Sequence, residues 1–473
     1  MKRKIFYKVI VITGCLALSL TACGKKQNTE TDTTQITSTT SQDSTEPTSD
    51  MNSSNTTAIS KEEMQKIAEN YVKLLSEQSF DKLSSDFIYD TKMQEVIDDG
   101  SLITSMEQII TTLGALKNQQ TPEIIEQKPY TTVSIPCNFE AQNVNINIVF
   151  TEDGKITGIN VSNYTGEEEK IVPEGIIEEE MALDIGNGMS LPGTFTKPEQ
   201  EGKYPVVIFV HGSGPNDRDE TVGANKPFQD IAWELAKQGI ASYRYDKRTK
   251  VYPESFVGDK EATVYEETVE DAVTAITMIK TLENIDTDKI YVLGHSLGGE
   301  LLPQVAENTT ETVAGYIFLA APTRKFTDIM KEQYEFLFGL IENPSEEQKE
   351  EMKKTYEELE KFDNLDSAEE GTQIFNTYVA YWKDINSYQP LVAAEKIEAP
   401  CLVLQGEEDY QVTMEDFTNW KDKFGEKENW TFHSYPGLTH IFMQGERKNA
   451  GAEYYIKQSI DKQVIQDIVN FIK

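Results

Sequence analysis

Histidine, cysteine and basic residues are all scarce in this chain of 473 residues. It has four histidines and four cysteines, and its 44 lysines and arginines face 80 aspartates and glutamates, for a formal net charge of −36. The acidic field excludes nucleic acid as a partner, and the simplest interpretation of the charge is a solvated surface. The cysteines have no paired close spacing, which argues against a zinc site or a disulfide framework. They are Cys15, Cys23, Cys137 and Cys401.

The chain also lacks an apolar run long enough to span a membrane. A basic segment, Met1 to Lys4, precedes an apolar segment, Val9 to Leu20, that is too short to cross a bilayer. This leader ends in Leu-Thr-Ala-Cys and resembles a bacterial lipoprotein signal. We therefore expect residues 1–22 to be a signal peptide and Cys23 to carry lipid, which anchors the protein at the extracytoplasmic face of the cell membrane. An ordinary cleaved secretion signal is the alternative.

Two segments separate the leader from the largest domain. Residues 23–59 are dominated by Ser, Thr, Asn, Gln and Asp and bury almost nothing, so we predict a disordered linker. Residues 60–165 show helical periodicity first and strand alternation second, which indicates a small α+β domain. This domain resembles the nuclear-transport-factor-2-like domains found ahead of some secreted hydrolases. A docking or spacer role is the first interpretation, and a second ligand site is the alternative.

Residues 176–473 alternate strands with helices, the pattern of a doubly wound, mostly parallel sheet. Residues 204–210 form a continuous apolar run, as expected for a strand covered on both faces. A charged helical insertion spans about residues 324–391, and it carries more apolar residues than exposed helices need. Either these residues line a cap over the active site, or they only dock the helices on the core. They include Ile329, Tyr334, Phe336, Leu337, Leu340, Tyr378, Tyr381 and Trp382.

The strongest functional signal is a serine between a predicted strand and a predicted helix. Residues 290–293 read as a strand, GHSLGG follows, and an apolar-periodic segment begins at once. G-x-S-x-G in this context is a nucleophile elbow, because side chains larger than glycine would collide in so sharp a turn. The pattern predicts that Ser296 is a catalytic nucleophile.

A serine hydroxyl needs a base and a carboxylate to orient that base. His440 lies in a loop after the last predicted strand, where it is free to reach over the sheet. Asp409 occupies the acid position of a G-x-x-D-x-x-V loop after the preceding strand. The order serine, acid, histidine (Ser296, Asp409, His440) is that of α/β-hydrolases. The other histidines are less suitable: His295 adjoins the nucleophile, His211 precedes a glycine-rich loop, and His433 falls inside a strand.

These motifs resemble the α/β-hydrolase superfamily, nearest to its bacterial esterase, dienelactone hydrolase and serine aminopeptidase-like members. The resemblance implies that the backbone N–H groups of Ser213 and Leu297 form the oxyanion hole. One departure is Thr249-Lys250, where many members have glycine, so the resemblance does not extend to the loop that walls the substrate pocket. The segments that carry the resemblance are HGSGPNDRDE, RYDKR, GHSLGG, GEEDYQV and GLTH.

Taken together, the sequence predicts a lipid-anchored serine hydrolase that cleaves carboxylic esters through an acyl-enzyme. We expect no metal and no organic cofactor, and a small-molecule ester or a short peptide as the substrate. An aminopeptidase or acylaminoacyl-type peptidase is the first alternative. From another class, a non-catalytic envelope-binding lipoprotein on the same scaffold is the second, since fold does not fix function.

Overall fold

The computed structural model describes residues 59–140, 143–164, 172–254, 258–341 and 343–473. These residues form two compact units, one over residues 59–164 and one over residues 172–473. The predicted signal peptide, Cys23 and nearly all of the predicted linker lie outside the described residues. No helix in the described ranges combines the length and the apolar character needed to cross a membrane.

The N-terminal unit begins with helices and ends with an antiparallel sheet. Ser60 starts the first helix in a capping box: its hydroxyl accepts the Glu63 N–H at 3.2 Å, and Glu63 Oε2 accepts the Ser60 N–H at 2.9 Å. Tyr71, Val133 and Ile146 share one apolar cluster between helices and sheet. The helices are Lys61–Ser76, Phe80–Ser85, Thr91–Asp98 and Ser101–Leu113. The strands are β1 (Leu116–Gln119), β2 (Glu123–Gln127), β3 (Tyr130–Phe139), β4 (Asn143–Thr151) and β5 (Ile156–Asn163), in the order β1-β3-β4-β5 with β2 also on β3.

The second unit is built on an eight-stranded sheet in the order β17-β16-β13-β12-β10-β11-β9-β6. The six strands from β17 to β11 are parallel, and β9 and β6 add antiparallel to the β11 edge. These strands are β6 (Ile176–Glu180), β9 (Gly193–Pro198), β10 (Tyr204–Val210), β11 (Ala241–Tyr245), β12 (Ile285–His295), β13 (Gly315–Leu319), β16 (Cys401–Gly406) and β17 (Trp430–Tyr435). Two small hairpins lie outside the sheet, β7 (Leu183–Gly186) with β8 (Met189–Leu191), and β14 (Gln373–Ile374) with β15 (Thr377–Tyr378).

Helices cover both faces of this sheet. Along β10, Val206 and Ile208 belong to one apolar cluster, whereas Val207 and Phe209 belong to another. This explains the uninterrupted apolar sequence of the strand, because each successive side chain enters a different core. The α-helices are Pro227–Lys237, Arg248–Val251, Glu270–Lys280, Leu297–Glu300, Leu302–Asn308, Phe326–Gly339, Glu346–Glu360, Val379–Ser387, Pro390–Ala393, Met414–Phe424 and Lys462–Ile472. A π-helical turn, Tyr265–Val269, precedes the third of these, and 3-10 turns span Lys361–Ser367, Ala394–Lys396, Arg447–Asn449 and Ala452–Tyr455.

The fold class predicted from the sequence is confirmed, and three local features of the second unit follow from particular residues. The last helix runs from Lys462 to Ile472, and the side chain of Asp461 caps its start. The insertion, predicted as helical over about residues 324–391, is interrupted by the β14–β15 hairpin, because Phe375 and Asn376 both have positive φ and form a tight turn. The helix after the elbow is interrupted between Glu300 and Leu302, next to Pro303.

Candidate active site

Ser296 lies at a sharp turn between β12 and the helix Leu297–Glu300. Its φ of 52° and ψ of −122° are unusual for a residue with a side chain. The Ser296 N–H donates to the Leu319 carbonyl at 2.9 Å, which ties the turn to the neighbouring strand β13. Strain of this kind persists only where the surroundings enforce it, and it is concentrated at functional sites. The side chain of Ser296 is half-buried, whereas its neighbours on both sides are buried.

The glycines around Ser296 are required by close backbone approach. A Cβ on Gly294 would lie 2.3 Å from the Gly298 oxygen, and a Cβ on Gly298 would lie 2.3 Å from the Val210 oxygen. The turn is thus packed directly against the end of β10. The G-x-S-x-G pattern follows from this contact as well as from the sharpness of the turn.

Asp409 and His440 are in direct contact. The His440 Nδ1–H donates to Asp409 Oδ2 at 2.6 Å, and both side chains are buried. Asp409 Oδ1 accepts the N–H groups of Gln411 and Val412 at 2.7 and 3.0 Å, and Gln405 Nε2 donates to Oδ2 at 3.1 Å. The carboxylate is therefore fixed from every side, and the Nε2 atom of His440 remains as the nitrogen that can act as a base.

His295, the last residue of β12, binds the loop of His440. The His295 Nε2–H donates to the His440 carbonyl at 2.9 Å, and the two rings lie 4.6 Å apart. His295 Nδ1 forms an ion pair with Glu220 Oε2 at 3.0 Å, with both side chains buried. Burial opposes charge on both groups, but their mutual attraction raises the pKa of His295 and lowers the pKa of Glu220 relative to ordinary values. Sequence reasoning set His295 aside and missed Glu220, although Glu220 lies in the motif HGSGPNDRDE.

The glycine-rich loop after β10 is held by charged side chains on both sides of Gly212. Glu220 Oε1 accepts the Gly212 N–H at 2.7 Å, and Lys247 Nζ donates to the Gly212 carbonyl at 2.7 Å. Asn216 Nδ2 donates to the carbonyls of Gly212 and Ser213, each at 3.1 Å. No described residue accepts a hydrogen bond from the N–H of Ser213 or of Leu297. Both proposed oxyanion donors can therefore serve a substrate.

The loop that contains Ser213 lies against Ser296. The Cβ position of Gly212 lies 3.2 Å from the Ser296 Cβ. The structure thus brings Gly212, the residue before Ser213, beside Ser296. It also brings His440 beside His295, the residue before Ser296, and Asp409 into contact with His440. The catalytic and oxyanion roles of these residues stay predictions. Cys23 lies outside the described residues.

The helical insertion contacts the loop that carries Asp409. The Phe336 ring stacks on Tyr410 at 5.5 Å, and Gln333 Nε2 donates to the Gln411 carbonyl at 3.0 Å. Most of its other aromatic side chains contact one another: Tyr334 with Phe375, Phe338 with Tyr356, and Phe362 with Trp382. These contacts favour the docking interpretation for the insertion's aromatic residues, with Phe336 as the one that reaches the loop of Asp409.

Within the described ranges, no cluster of three or more histidine, cysteine or acidic side chains could hold a metal ion. Cys137 and Cys401 are buried and unpaired. Burial raises the pKa of the Cys137 thiol to about 12, so it stays a neutral core residue at physiological pH.

Comparison with known proteins gives both units a match. The model of the family described as serine aminopeptidase, S33, matches residues 205–448. A family of unknown function, DUF3887, matches residues 68–159. Esterase EstD of Thermotoga maritima is 33% identical over 356 residues, which cover 74% of this chain and 81% of that protein.

Solved structures give weaker likenesses. Est1E from Butyrivibrio proteoclasticus is 18% identical with a TM-score of 0.40, covering 62% of this chain and 98% of that one. A Mycobacterium tuberculosis puromycin-hydrolyzing peptidase is 15% identical with a TM-score of 0.43, covering 76% of this chain and 48% of that one.

Proposed function

Because this chain belongs to the S33 serine aminopeptidase family of α/β-hydrolases and is a serine hydrolase, we propose that it cleaves carboxylic esters through an acyl-enzyme. The observation that carries the proposal is the 2.6 Å contact between Asp409 and His440, in a loop that touches the residue before Ser296. A strained serine, a base and a fixed carboxylate are the three parts that acyl transfer requires.

In the proposed reaction, Ser296 Oγ attacks the ester carbonyl while His440 Nε2 takes its proton. The N–H groups of Ser213 and Leu297 stabilise the negative charge that develops on the carbonyl oxygen. Asp409 stabilises the imidazolium and holds its Nδ1 proton. His440 then gives the proton to the leaving alcohol. Water, deprotonated by the same nitrogen, releases the acid and restores Ser296.

An ester substrate is supported by the relative Esterase EstD, whose name records ester cleavage by that protein. The family description favours a second candidate, cleavage of a peptide next to its N-terminal residue. Such a peptidase must hold the substrate's ammonium group, for which this acidic chain has many carboxylates. A matched pair of substrates, one amino-acyl ester and the amide of the same amino acid, separates the candidates by their kcat/KM values.

The central test uses short p-nitrophenyl esters and a fluorophosphonate probe. Ser296→Ala is expected to lose both hydrolysis and labelling while it keeps its far-UV circular dichroism and its melting temperature. Ser387→Ala, at the end of an outer helix, is the control and should keep both. Undiminished turnover by Ser296→Ala would overturn the triad.

We further propose that lipid on Cys23 anchors the enzyme at the extracytoplasmic face of the membrane. The basic and apolar leader and the cysteine that ends it support this proposal. Cys23→Ser expressed in a bacterium should shift to the soluble fraction and lose the mass of the lipid. A variant that stays in the membrane fraction with unchanged mass would refute the anchor.

A further inference from the structure

A buried ion pair lies beside the glycine-rich loop, and the reaction as described makes no use of it. Lys247 Nζ lies 2.6 Å from Glu267 Oε1, with only 2% and 4% of the two side chains exposed. The Tyr381 hydroxyl donates to the other oxygen, Oε2, at 2.7 Å. Since burying two charges costs more than their attraction commonly returns, such a pair is weak evidence for stability. We therefore look for the role of the Lys247–Glu267 pair in the other groups that it contacts.

The ammonium of Lys247 has a second partner, the Gly212 carbonyl oxygen at 2.7 Å. That carbonyl belongs to the same peptide group as the Ser213 N–H, the proposed oxyanion donor. A trans peptide is planar, so its oxygen and its N–H point in opposite directions. Holding the oxygen therefore fixes the direction in which the Ser213 N–H points. A cation on the carbonyl also polarises the amide and strengthens its N–H as a donor.

The position of Glu267 adds a second link. It lies in the π-helical turn Tyr265–Val269, a form of backbone that is frequent at functional sites. Its partner Tyr381 belongs to the helix Val379–Ser387 of the insertion. A continuous chain of contacts thus runs from the insertion through Tyr381, Glu267 and Lys247 to the peptide of Ser213.

We infer that Lys247 is a positioning residue that aligns the Ser213 N–H with the developing oxyanion, and that Glu267 and Tyr381 connect this alignment to the helical insertion. The inference rests on the proposed function, because it requires Ser213 to be an oxyanion donor. Glu220 holds the peptide on the other side of Gly212, so the loop keeps its place when Lys247 is removed. Loss of Lys247 then leaves only the longer contact from Asn216 Nδ2, at 3.1 Å, on the Gly212 oxygen, so the tilt of this one peptide is held less firmly.

The test removes both charges at once, because Lys247→Met alone would leave Glu267 buried without a cation. In Lys247→Met/Glu267→Gln the amide can still accept from Tyr381. Two quantities are measured: kcat and KM for a p-nitrophenyl ester, and the inhibition constant of a trifluoromethyl ketone, which takes up Ser296 Oγ and places an oxyanion at the donors. Outright removal of a donor costs on the order of 100- to 1000-fold in kcat, so misalignment is expected to cost about 10- to 100-fold.

The inference expects kcat and ketone affinity to fall by the same factor while KM stays within about threefold, since only the charged oxygen uses the aligned donor. A purely structural pair would lower the melting temperature and leave both quantities unchanged, which would overturn the inference. If Ser296→Ala also keeps full turnover, the proposed function has failed. If Ser296→Ala is inactive and the double variant is not impaired, only this inference has failed.

Should the double variant fail to fold, Tyr381→Phe carries the test. Its matched control is Tyr435→Phe, another buried tyrosine whose hydroxyl donates to a carboxylate, that of Asp467, at 2.8 Å. We expect Tyr381→Phe to lower kcat and ketone affinity together by about threefold, because Glu267 loses its charge-assisted hydrogen bond from Tyr381 and holds Lys247 less firmly. Tyr435→Phe should change stability only. Equal, unchanged kinetics in both variants would overturn the inference.

Discussion

The carboxylate of Glu220 lies 3.0 Å from the imidazole of His295, the residue before the nucleophile. Its other oxygen accepts the Gly212 N–H, and the other nitrogen of His295 donates to the His440 carbonyl. This one pair therefore connects the loop of Gly212, the turn of Ser296 and the loop of His440. Three segments that are distant in the chain are held in register by two side chains that take no part in the proposed proton transfers.

Breaking this pair should destabilise the unit of residues 172–473, called the catalytic unit below, in a pH-dependent manner. Because the pKa of His295 is raised in the folded state, its contribution is complete below its unfolded pKa and is lost as pH rises through the folded pKa. Glu220→Gln is expected to lower the free energy of unfolding by about 3 kcal/mol near pH 5.5 and by less above the folded pKa of His295.

Denaturant unfolding followed by tryptophan fluorescence measures this difference. All four tryptophans, Trp233, Trp382, Trp420 and Trp430, belong to the catalytic unit, so the signal reports on that unit alone. A deficit that does not shrink as pH rises from 6.5 to the alkaline limit of folding would contradict the assignment of charge to His295.

The pKa values of His211, before the glycine-rich loop, and of His295, before Ser296, should be shifted in opposite directions. Burial lowers the pKa of His211 to about 4, where its ring packs against Phe228 and Tyr245, while the pKa of His295 is raised. At pH 5.5 we therefore expect a neutral His211 beside a charged His295.

With only four histidines, ¹⁵N-histidine NMR can follow each ring, and His211→Gln and His295→Gln assign the signals. For His211 the stability changes with pH in the direction opposite to that for His295. Its contribution to stability is complete above pH 6.5 and is lost as pH falls toward 4, by up to about 3 kcal/mol. A His211 signal that titrates near pH 6.5 would contradict this environment.

Much of the catalytic unit could be predicted from the sequence because its signals are local. The apolar strand before Ser296, the glycines at 294 and 298, and the loop of Asp409 each impose a constraint within a few residues. The resulting contact between Asp409 and His440 spans only 31 positions in adjacent loops of neighbouring strands.

The sequence could not show which distant residues come into contact when the strands of the sheet pair. Glu220 and His295 are far apart in the chain and meet only because β10 pairs with β12. Lys247, Glu267 and Tyr381 come from three separate segments, and each one alone resembles an ordinary charged or aromatic surface residue. The motif RYDKR contains Lys247, but the motif alone does not show that its ammonium group binds the Gly212 carbonyl.

Gly298 should tolerate no side chain. A Cβ there would meet the backbone oxygens of Val210 and His211 at 2.3 and 2.6 Å, and neither can move without shifting β10. Gly298→Ala is expected to lower the melting temperature of the catalytic unit and to remove ester hydrolysis. Gly339→Ala is the control, because nothing lies within 4 Å of its Cβ position at the end of a helix. It should be neutral or stabilise the protein by up to about 1 kcal/mol, and normal activity in Gly298→Ala would refute the close contact.

Asp409→Asn tests the orienting carboxylate at nearly constant shape. The amide oxygen can still accept the N–H groups of Gln411 and Val412, which forces the amide nitrogen toward His440. His440 Nδ1 must then accept, so the ring proton moves to Nε2, and Nε2 can no longer take the proton of Ser296 in the proposed reaction. We expect kcat to fall by about 1000- to 10,000-fold with little change in KM.

Glu408→Gln is the matched control for Asp409→Asn. The Glu408 carboxylate accepts only the Arg447 N–H among the described contacts, so this variant should keep near-normal turnover. If Asp409→Asn keeps kcat within tenfold of the parent while folded, the carboxylate does not set the state of His440, and the triad needs another acid.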